Sequence, residues 1–328
     1  MRVLVVTAMY PSADRPASGT FVKEQVESLR EAGVEVDVLA FRGRGKGINY
    51  IKAVGALWKQ LRTQRYDVIH AHYGLVGLVA RLQLQCPVVV TYHGSDLYGK
   101  PTPDNKPTLK GLASRLISKL MALVATQRII VAPVLRPKLW PFDAVLIPMG
   151  VDLAMFKPAP REEARKQLGL PPDKRLVLFV AHPLNYIKRY DLAQAAVQLL
   201  RLDSPDVDLI AVYQAPHETV PTYMNACDAL VLTSTYEASP CVIKEAMACN
   251  LPIVSVNVGD VAERIDGVEG CYLCEPTPQD IAAKLRRVLQ DGRRPDSRAK
   301  IAELSLQNVG RRVIAVYQDA LGPRAAKA

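Results

Sequence analysis

Aromatic residues are scarce in this chain of 328 residues: five Phe, two Trp and thirteen Tyr, 6% of the total. They are not interleaved with the basic runs as stacking platforms for nucleic-acid bases would be, which argues against a nucleic-acid binder. No uninterrupted apolar run reaches ~18 residues, so no segment is expected to span a membrane. A secretory leader is also missing from the pattern, because Arg2-Val3-Leu4-Val5-Val6 is only strand-length and runs into Met9-Tyr10-Pro11. The six cysteines are scattered at 86, 227, 241, 249, 271 and 274. Cys271 and Cys274 have CxxC spacing but no second pair or His cluster, so buried free thiols are expected and not a zinc site. Acidic residues are lacking on one side only. Residues 1–150 hold 20 Lys+Arg against 10 Asp+Glu, whereas the remaining 22 of each sign cancel. The whole excess of +10 therefore sits in the first half and implies an anionic partner there.

What is present is a chain long enough for two domains, half of it apolar. Val3–Thr7, Val34–Phe41, 67–72, 87–91, 128–131 and 145–147 read as strands. The continuous apolar runs fit a parallel sheet buried on both faces. A helix from Thr20 to Ala32 follows the loop Tyr10–Gly19 and stops at Gly33. After the junction Ile147-Pro-Met-Gly-Val-Asp152 come a helix at 160–168 and strands at 176–180, 209–212, 229–232, 252–256 and 270–273. Helices at 279–289 and 307–321 complete the pattern. This order is α/β, doubly wound.

The richest stretch is Thr235-Tyr-Glu237-Ala-Ser239-Pro240-Cys241-Val242-Ile-Lys-Glu245. Ser239 is expected as N-cap and Pro240 as the first helical residue, since proline lacks the N–H that would have no partner there. The first-turn N–H groups at Cys241 and Val242 then sit at the positive end of a helix dipole and suit a phosphate. At ~1.5 Å rise per residue, Glu245 lies roughly 9 Å from the cap, within reach of a ribose. Glu237 stands across the turn, beside whatever the diphosphate carries.

Two carboxylates at this spacing resemble the E-x7-E motif of retaining GT-B glycosyltransferases, in particular the GT4 family. Other segments carry the same resemblance. Tyr92-His93-Gly94-Ser95-Asp96 is similar to the family's H-G-x-D segment, Ile147–Asp152 to its I-P-N-G-V-D junction, and Lys188 to the Lys of its G-R-x-x-x-x-K-G loop. Family membership implies a GT-B fold: two Rossmann-like domains with parallel sheets facing an interdomain cleft. The expected domains are 1–150 on the acceptor side, 151–306 on the donor side, and a helix with tail at 307–328 that crosses back. It further implies that Gly19 approaches the donor diphosphate, that Lys188, Arg189 and the helix end at Ser239, Pro240, Cys241 and Val242 hold it, and that Glu245 holds the ribose. His93 and Glu237 are then the catalytic pair on the sugar, Asp96 lies toward the acceptor, and no metal or cofactor is required beyond a UDP- or GDP-linked sugar as co-substrate.

The chain departs from the family pattern in several places. Ser18 stands where a second glycine is usual, Met149 where Asn is, His182 where Arg is, and Ala238 and Arg189 where Gly is; Arg189 is expected to supply the displaced cation. Only 39 residues separate Lys188 from Asp228, one strand–helix unit short. Asp206-Val-Asp208 looks like the metal-binding DxD of another glycosyltransferase fold but precedes its strand, the wrong end for a ligand. The expected activity is hexosyl transfer to a glycan, glycolipid or other hydroxyl acceptor in cell-surface polysaccharide or glycoconjugate biosynthesis. The alternatives are a nucleotide-sugar 2-epimerase and a scaffold that binds without turnover. Two amphipathic basic segments, 42–65 with Ile51, Val54, Trp58 and Leu61 on one face and 100–125 with Leu112, Leu116, Leu120 and Leu123 on one stripe, are candidates for an anionic membrane surface. The expected location is cytoplasmic, peripheral to the inner face of the membrane.

Overall fold

The computed structural model describes residues 1–43, 47–99, 102 and 106–322. Parts of the expected basic loop 42–47 and proline-rich loop 100–110, and the tail after Gly322, lie outside the described residues. The chain divides into two compact units. The first holds residues 1–13, 18–150 and 306–328, the second 14–17 and 151–305.

The first unit is built on strands β1 (Arg2–Thr7), β2 (Glu35–Ala40), β3 (Val68–His72), β4 (Val88–Tyr92), β5 (Gln127–Ile130) and β6 (Val145–Leu146). They form one sheet in the order β2-β1-β3-β4-β5-β6, every pairing parallel. Its helices are α1 (Thr20–Glu31), α2 (Ile48–Thr63), α3 (Gly74–Arg81), α4 (Ser95–Tyr98), α5 (Leu109–Val124) and α6 (Arg136–Leu139), joined by the last helix of the chain, at Leu306–Leu321. Val3, Val5, Val68, Val89 and Ile129 point to the side where α1 and the 306–321 helix pack together. The alternate residues Leu4, Val6 and Ile69 are equally buried toward the other side, as the two-residue period of a strand requires. There α3 packs between α2 and α5.

The second unit contains β7 (Arg175–Val180), β8 (Val207–Val212), β9 (Ala229–Leu232), β10 (Ile253–Val256) and β11 (Cys271–Cys274), in the parallel order β11-β10-β9-β7-β8. Its helices are α7 (Arg161–Leu168), α8 (Tyr190–Arg201), α9 (Val220–Ala226), α10 (Cys241–Ala248), α11 (Val261–Ile265) and α12 (Pro278–Asp291), and the 306–321 helix of the first unit is α13. Leu176, Leu178, Leu230 and Leu232 enter one hydrophobic layer, and Val177, Phe179, Ala229 and Val231 the other. Each fully buried Val or Leu of these strands contributes roughly 1.5–3 kcal/mol. Cys271 and Cys274 fall in opposite layers, and all six cysteines are free thiols.

Both sheets reverse direction part-way. In the second, β8 lies on one side of β7 and β9 on the other, so the loops after β7 and β9 part at a topological switch point. Open parallel sheets bind ligands at such crevices, at the carboxyl ends of their strands. The corresponding point of the first sheet lies between β1 and β3.

Both amphipathic segments leave apolar residues turned outward. Helix α2 buries Ala53, Leu57 and Leu61, so its buried face is rotated from the expected stripe and leaves Ile51 and Trp58 exposed. Helix α5 packs through Gly111, Ser118, Met121 and Ala122, and the leucine stripe faces outward. Small residues permit the close approach: a Cβ on Gly74 or Gly77 of α3 would run into Ser118 or Met121.

Candidate active site

In the second unit, the loop after β7 and the loop after β9 are fastened to each other. Thr233 Oγ1 donates to the carbonyls of Lys188 and Arg189 at 2.8 and 2.9 Å, and the Thr235 N–H donates to the Ile187 carbonyl at 2.8 Å. This places Lys188 beside the first acid of the E-x7-E stretch. Lys188 Nζ lies 2.5 Å from Glu237 Oε1, and Ser234 Oγ donates to the same oxygen at 2.8 Å. Arg189 takes the left-handed conformation (φ 51°) directly before α8. Glycine is the residue that fits such a position without strain, which explains what the chain gives up by carrying a cation there.

Helix α10 begins at Cys241, one residue later than expected, with Pro240 as its N-cap. Ser239 is not the cap. Pro240 is extended (ψ 119°), and the Ser239 hydroxyl instead donates to Asp260 Oδ2 at 2.8 Å and accepts from Lys244 Nζ at 3.2 Å. Asp260 is also held by Arg264 at 3.0 Å. Its N–H donates to the Ala238 carbonyl at 3.0 Å, and a Cβ on neighbouring Gly259 (φ 61°) would meet that carbonyl oxygen at 2.2 Å. The turn Glu237–Pro240 is thus clamped by the loop after β10. Lys244 and Asp260 are buried, and a charge pulled from water is tolerated only when hydrogen-bonded and compensated as these are.

Glu245, on the fifth residue of α10, is nearly buried, and His217 Nε2 lies 3.8 Å from its Oε1. The His217 ring rests on Phe156. Sequence reasoning missed His217, Ser234, Asp260 and Lys244. The one signal available was Lys244 itself, a lysine inside a helical segment otherwise apolar enough to be buried. The discounted pair Asp206 and Asp208 is consumed in ion pairs with Arg175 and with Lys174 and Arg201, at the amino-terminal end of β8.

The first unit gathers Gly19, His93 and Asp96 around the ends of β1, β3 and β4. Gly19 has φ 74°, and a Cβ there would sit 2.4 Å from the Met9 carbonyl oxygen, so the loop closes only on glycine. His93 follows β4 between the rings of Phe21, Tyr73 and His72. Its Nε2 is 2.9 Å from His72 Nδ1. Burial holds the His70 imidazole down to about 3 and His72 well below the usual histidine range, so both are neutral. Asp96 is buried and serves the backbone: its oxygens accept from the N–H groups of Gly94 at 2.9 Å and Gly74 at 3.1 Å. Burial raises its carboxyl to about 6 against those backbone hydrogen bonds.

Residues 1–150 match the family described as "Glycosyl transferase 4-like domain", and residues 193–291 match "Glycosyl transferases group 1". The chain belongs to the group 1, GT4-like glycosyltransferases. Within that family it is 28% identical over 351 aligned positions to TuaC of Bacillus subtilis, described as a teichuronic acid biosynthesis glycosyltransferase, with 88% of this chain and 89% of TuaC covered. Among solved structures it resembles sucrose-phosphate synthase from Thermosynechococcus elongatus (TM-score 0.72, 21% identity, covering 100% of this chain and 98% of that one). It also resembles Anabaena HepE in complex with UDP (TM-score 0.70, 17% identity, covering 96% and 99%). At such identities the likeness establishes the fold, which is GT-B. Of the residues that carried the resemblance, Lys188, Glu237 and Glu245 all lie in the second unit, with Arg189 and buried Ala238 directly beside Lys188 and Glu237.

Proposed function

We propose that this glycosyltransferase moves a sugar, with retention of anomeric configuration, from a nucleoside-diphosphate sugar to a glycan, lipid-linked or other hydroxyl acceptor in cell-surface polysaccharide or glycoconjugate synthesis. One observation carries the reading. Lys188, Glu237 and the start of α10, with Glu245 behind it, meet at the switch point of the second sheet. Lys188, Arg189 and the helix end offset the charge of a leaving diphosphate, and Glu245 receives the ribose. Glu237 holds the sugar hydroxyls on the donor side. The leaving phosphate oxygen accepts the acceptor's proton on the same face of the sugar, so the protein's work is positioning and charge stabilisation. UDP is the first donor nucleotide to test, because HepE was solved with it. Isothermal calorimetry of UDP, GDP and ADP in EDTA tests the site. Glu245→Ala should weaken binding of the preferred diphosphate at least about tenfold, the loss of a charged hydrogen bond; unchanged affinity would remove the assignment.

The acceptor side is read from the exposed face of α2, α3 and α5. Leu109, Leu112, Leu116, Leu120 and Leu123 are exposed, from 45% at Leu112 to 87% at Leu109. Leu78 and Leu82 on and after α3, and Ile51 and Trp58 on α2, are exposed as well. The three helices carry three, one and three basic residues and no acidic one. Apolar residues bordered by cations match an anionic lipid surface, each cation being worth about 1 kcal/mol near it. Pelleting with phosphatidylglycerol vesicles, lost in phosphatidylcholine vesicles and in Leu116→Glu/Leu120→Glu, is the expected result. Equal pelleting with both lipids, or a concentration-dependent dimer through this face without lipid, would contradict it.

A further inference from the structure

Three histidines line the end of the first sheet, and only His93 belongs to the motif that the family resemblance uses. His70 is accounted for: its Nδ1 is 2.7 Å from the Tyr317 hydroxyl and its Nε2 2.7 Å from Thr91 Oγ1. His72 is different. It is fully buried, its Nδ1 is 2.9 Å from His93 Nε2, and its own Nε2 has no hydrogen-bond partner among the described residues. We infer that His72 is a positioning residue: it donates from Nδ1 to His93 Nε2 and so fixes both the plane of the His93 ring and the nitrogen on which His93 carries its proton.

A neutral imidazole has one N–H and one bare nitrogen, and the hydrogen bond at one nitrogen decides the state of the other. If His93 donated from Nε2, His72 Nδ1 would have to be bare and its proton would lie on Nε2. That would bury an N–H with no acceptor, at the desolvation cost of an unmade hydrogen bond. The opposite arrangement leaves only a bare lone pair at His72 Nε2. Protonating His72 instead is disfavoured by its complete burial beside His70 and His93. His93 Nε2 is therefore an acceptor, and the single proton of the neutral His93 ring is on Nδ1. Any ligand oxygen that His93 meets is met by a donor at Nδ1. The tilted Phe21 and Tyr73 rings restrict the remaining freedom of the ring, at centroid distances of 5.0 and 4.6 Å. The role in catalysis rests on the glycosyl-transfer reading; the tautomer does not.

Two-bond proton–nitrogen NMR correlations of the intact, ligand-free protein, labelled with 15N at the imidazoles and recorded near neutral pH, test it directly. The expected spectrum has His72 and His93 both protonated at Nδ1. His72→Asn, whose amide nitrogen can take the place of Nδ1–H, should keep His93 in that form, and His72→Leu, which preserves bulk but removes the donor, should release His93 to the Nε2–H form or to a mixture. A His93 protonated at Nε2 in the parent protein overturns the inference, as does a His93 tautomer unchanged in a folded His72→Leu. If His72→Leu does not fold, the parent and His72→Asn spectra decide. A chain that fails to transfer sugar yet shows the expected tautomers would remove the glycosyl-transfer reading and leave the pairing standing.

Discussion

Neutralising Glu237 should make the protein bind a bare nucleoside diphosphate more tightly, although the same change should damage sugar transfer. Without ligand, Lys188 Nζ is committed to Glu237 Oε1 at 2.5 Å, and that oxygen also accepts from Ser234. For Lys188 to face a phosphate, this pair must loosen, and the Glu237 charge repels the incoming anion. The side chains are 26% and 17% exposed, so the pair is neither fully screened nor fully buried. Exposed pairs contribute up to about 1 kcal/mol and buried ones more when broken. Taking about 1 kcal/mol as the discounted figure, Glu237→Gln should lower the dissociation constant of the preferred diphosphate by about fivefold. Gln retains an oxygen to accept from Ser234, so the loop after β9 keeps its shape. Metal-free calorimetry on parent, Glu237→Gln and Lys188→Met provides the comparison, with Lys188→Met binding more weakly than the parent. A Glu237→Gln protein that binds diphosphate no tighter, or less tightly, would refute the proposed competition between carboxylate and phosphate for one lysine.

Two further outcomes follow from the first unit. Gly19→Ala should lower stability by at least about 1–2 kcal/mol from its left-handed backbone alone, with the clash against the Met9 carbonyl in addition; a urea midpoint unchanged from the parent would show that the loop closes differently. The Asp96 carboxyl should titrate near pH 6 by carboxyl-carbon NMR, above its ordinary value of 3.8. Because the folded state then binds this proton more tightly than the unfolded state, stability should fall by roughly 3 kcal/mol as pH rises from about 4 through about 6 and stay level above. Titration below pH 4.5 would contradict this.

Much of this architecture was legible because parallel strands buried on both faces leave unbroken apolar runs, and because Gly33, Pro240 and the Pro-Met-Gly junction punctuate them. The acids at 237 and 245 and the lysine at 188 were expected from the resemblance to the family's motifs, and the structure brings Lys188 and Glu237 within 2.5 Å of each other. What was not legible depends on contacts distant in sequence. Ser239 looks like a cap from its neighbours alone, but Asp260, twenty-one positions on, takes its hydroxyl. The leucine stripe of α5 faces outward as a candidate surface should, but the sequence does not say that Gly74 and Gly77 would draw the opposite, small-residue face against α3. Asp96 stands where the resemblance implies an acceptor-side acid, and the sequence does not say that its oxygens accept from the N–H groups of Gly74 and Gly94.

Glycosyl transfer itself is tested most directly by incubating the protein, in EDTA, with a panel of UDP-, GDP- and ADP-sugars and a mixture of lipid-linked and soluble glycan acceptors. Mass spectrometry then reads acceptor mass and released diphosphate, and NMR reads the anomeric configuration of the product. The account predicts one donor class whose sugar appears on an acceptor with its configuration retained and one diphosphate released per transfer, and loss of that product in Glu245→Ala and Glu237→Gln. Inversion at the anomeric carbon, conversion of the donor to an epimer without any acceptor, or tight nucleotide binding with no transfer to any acceptor would contradict it.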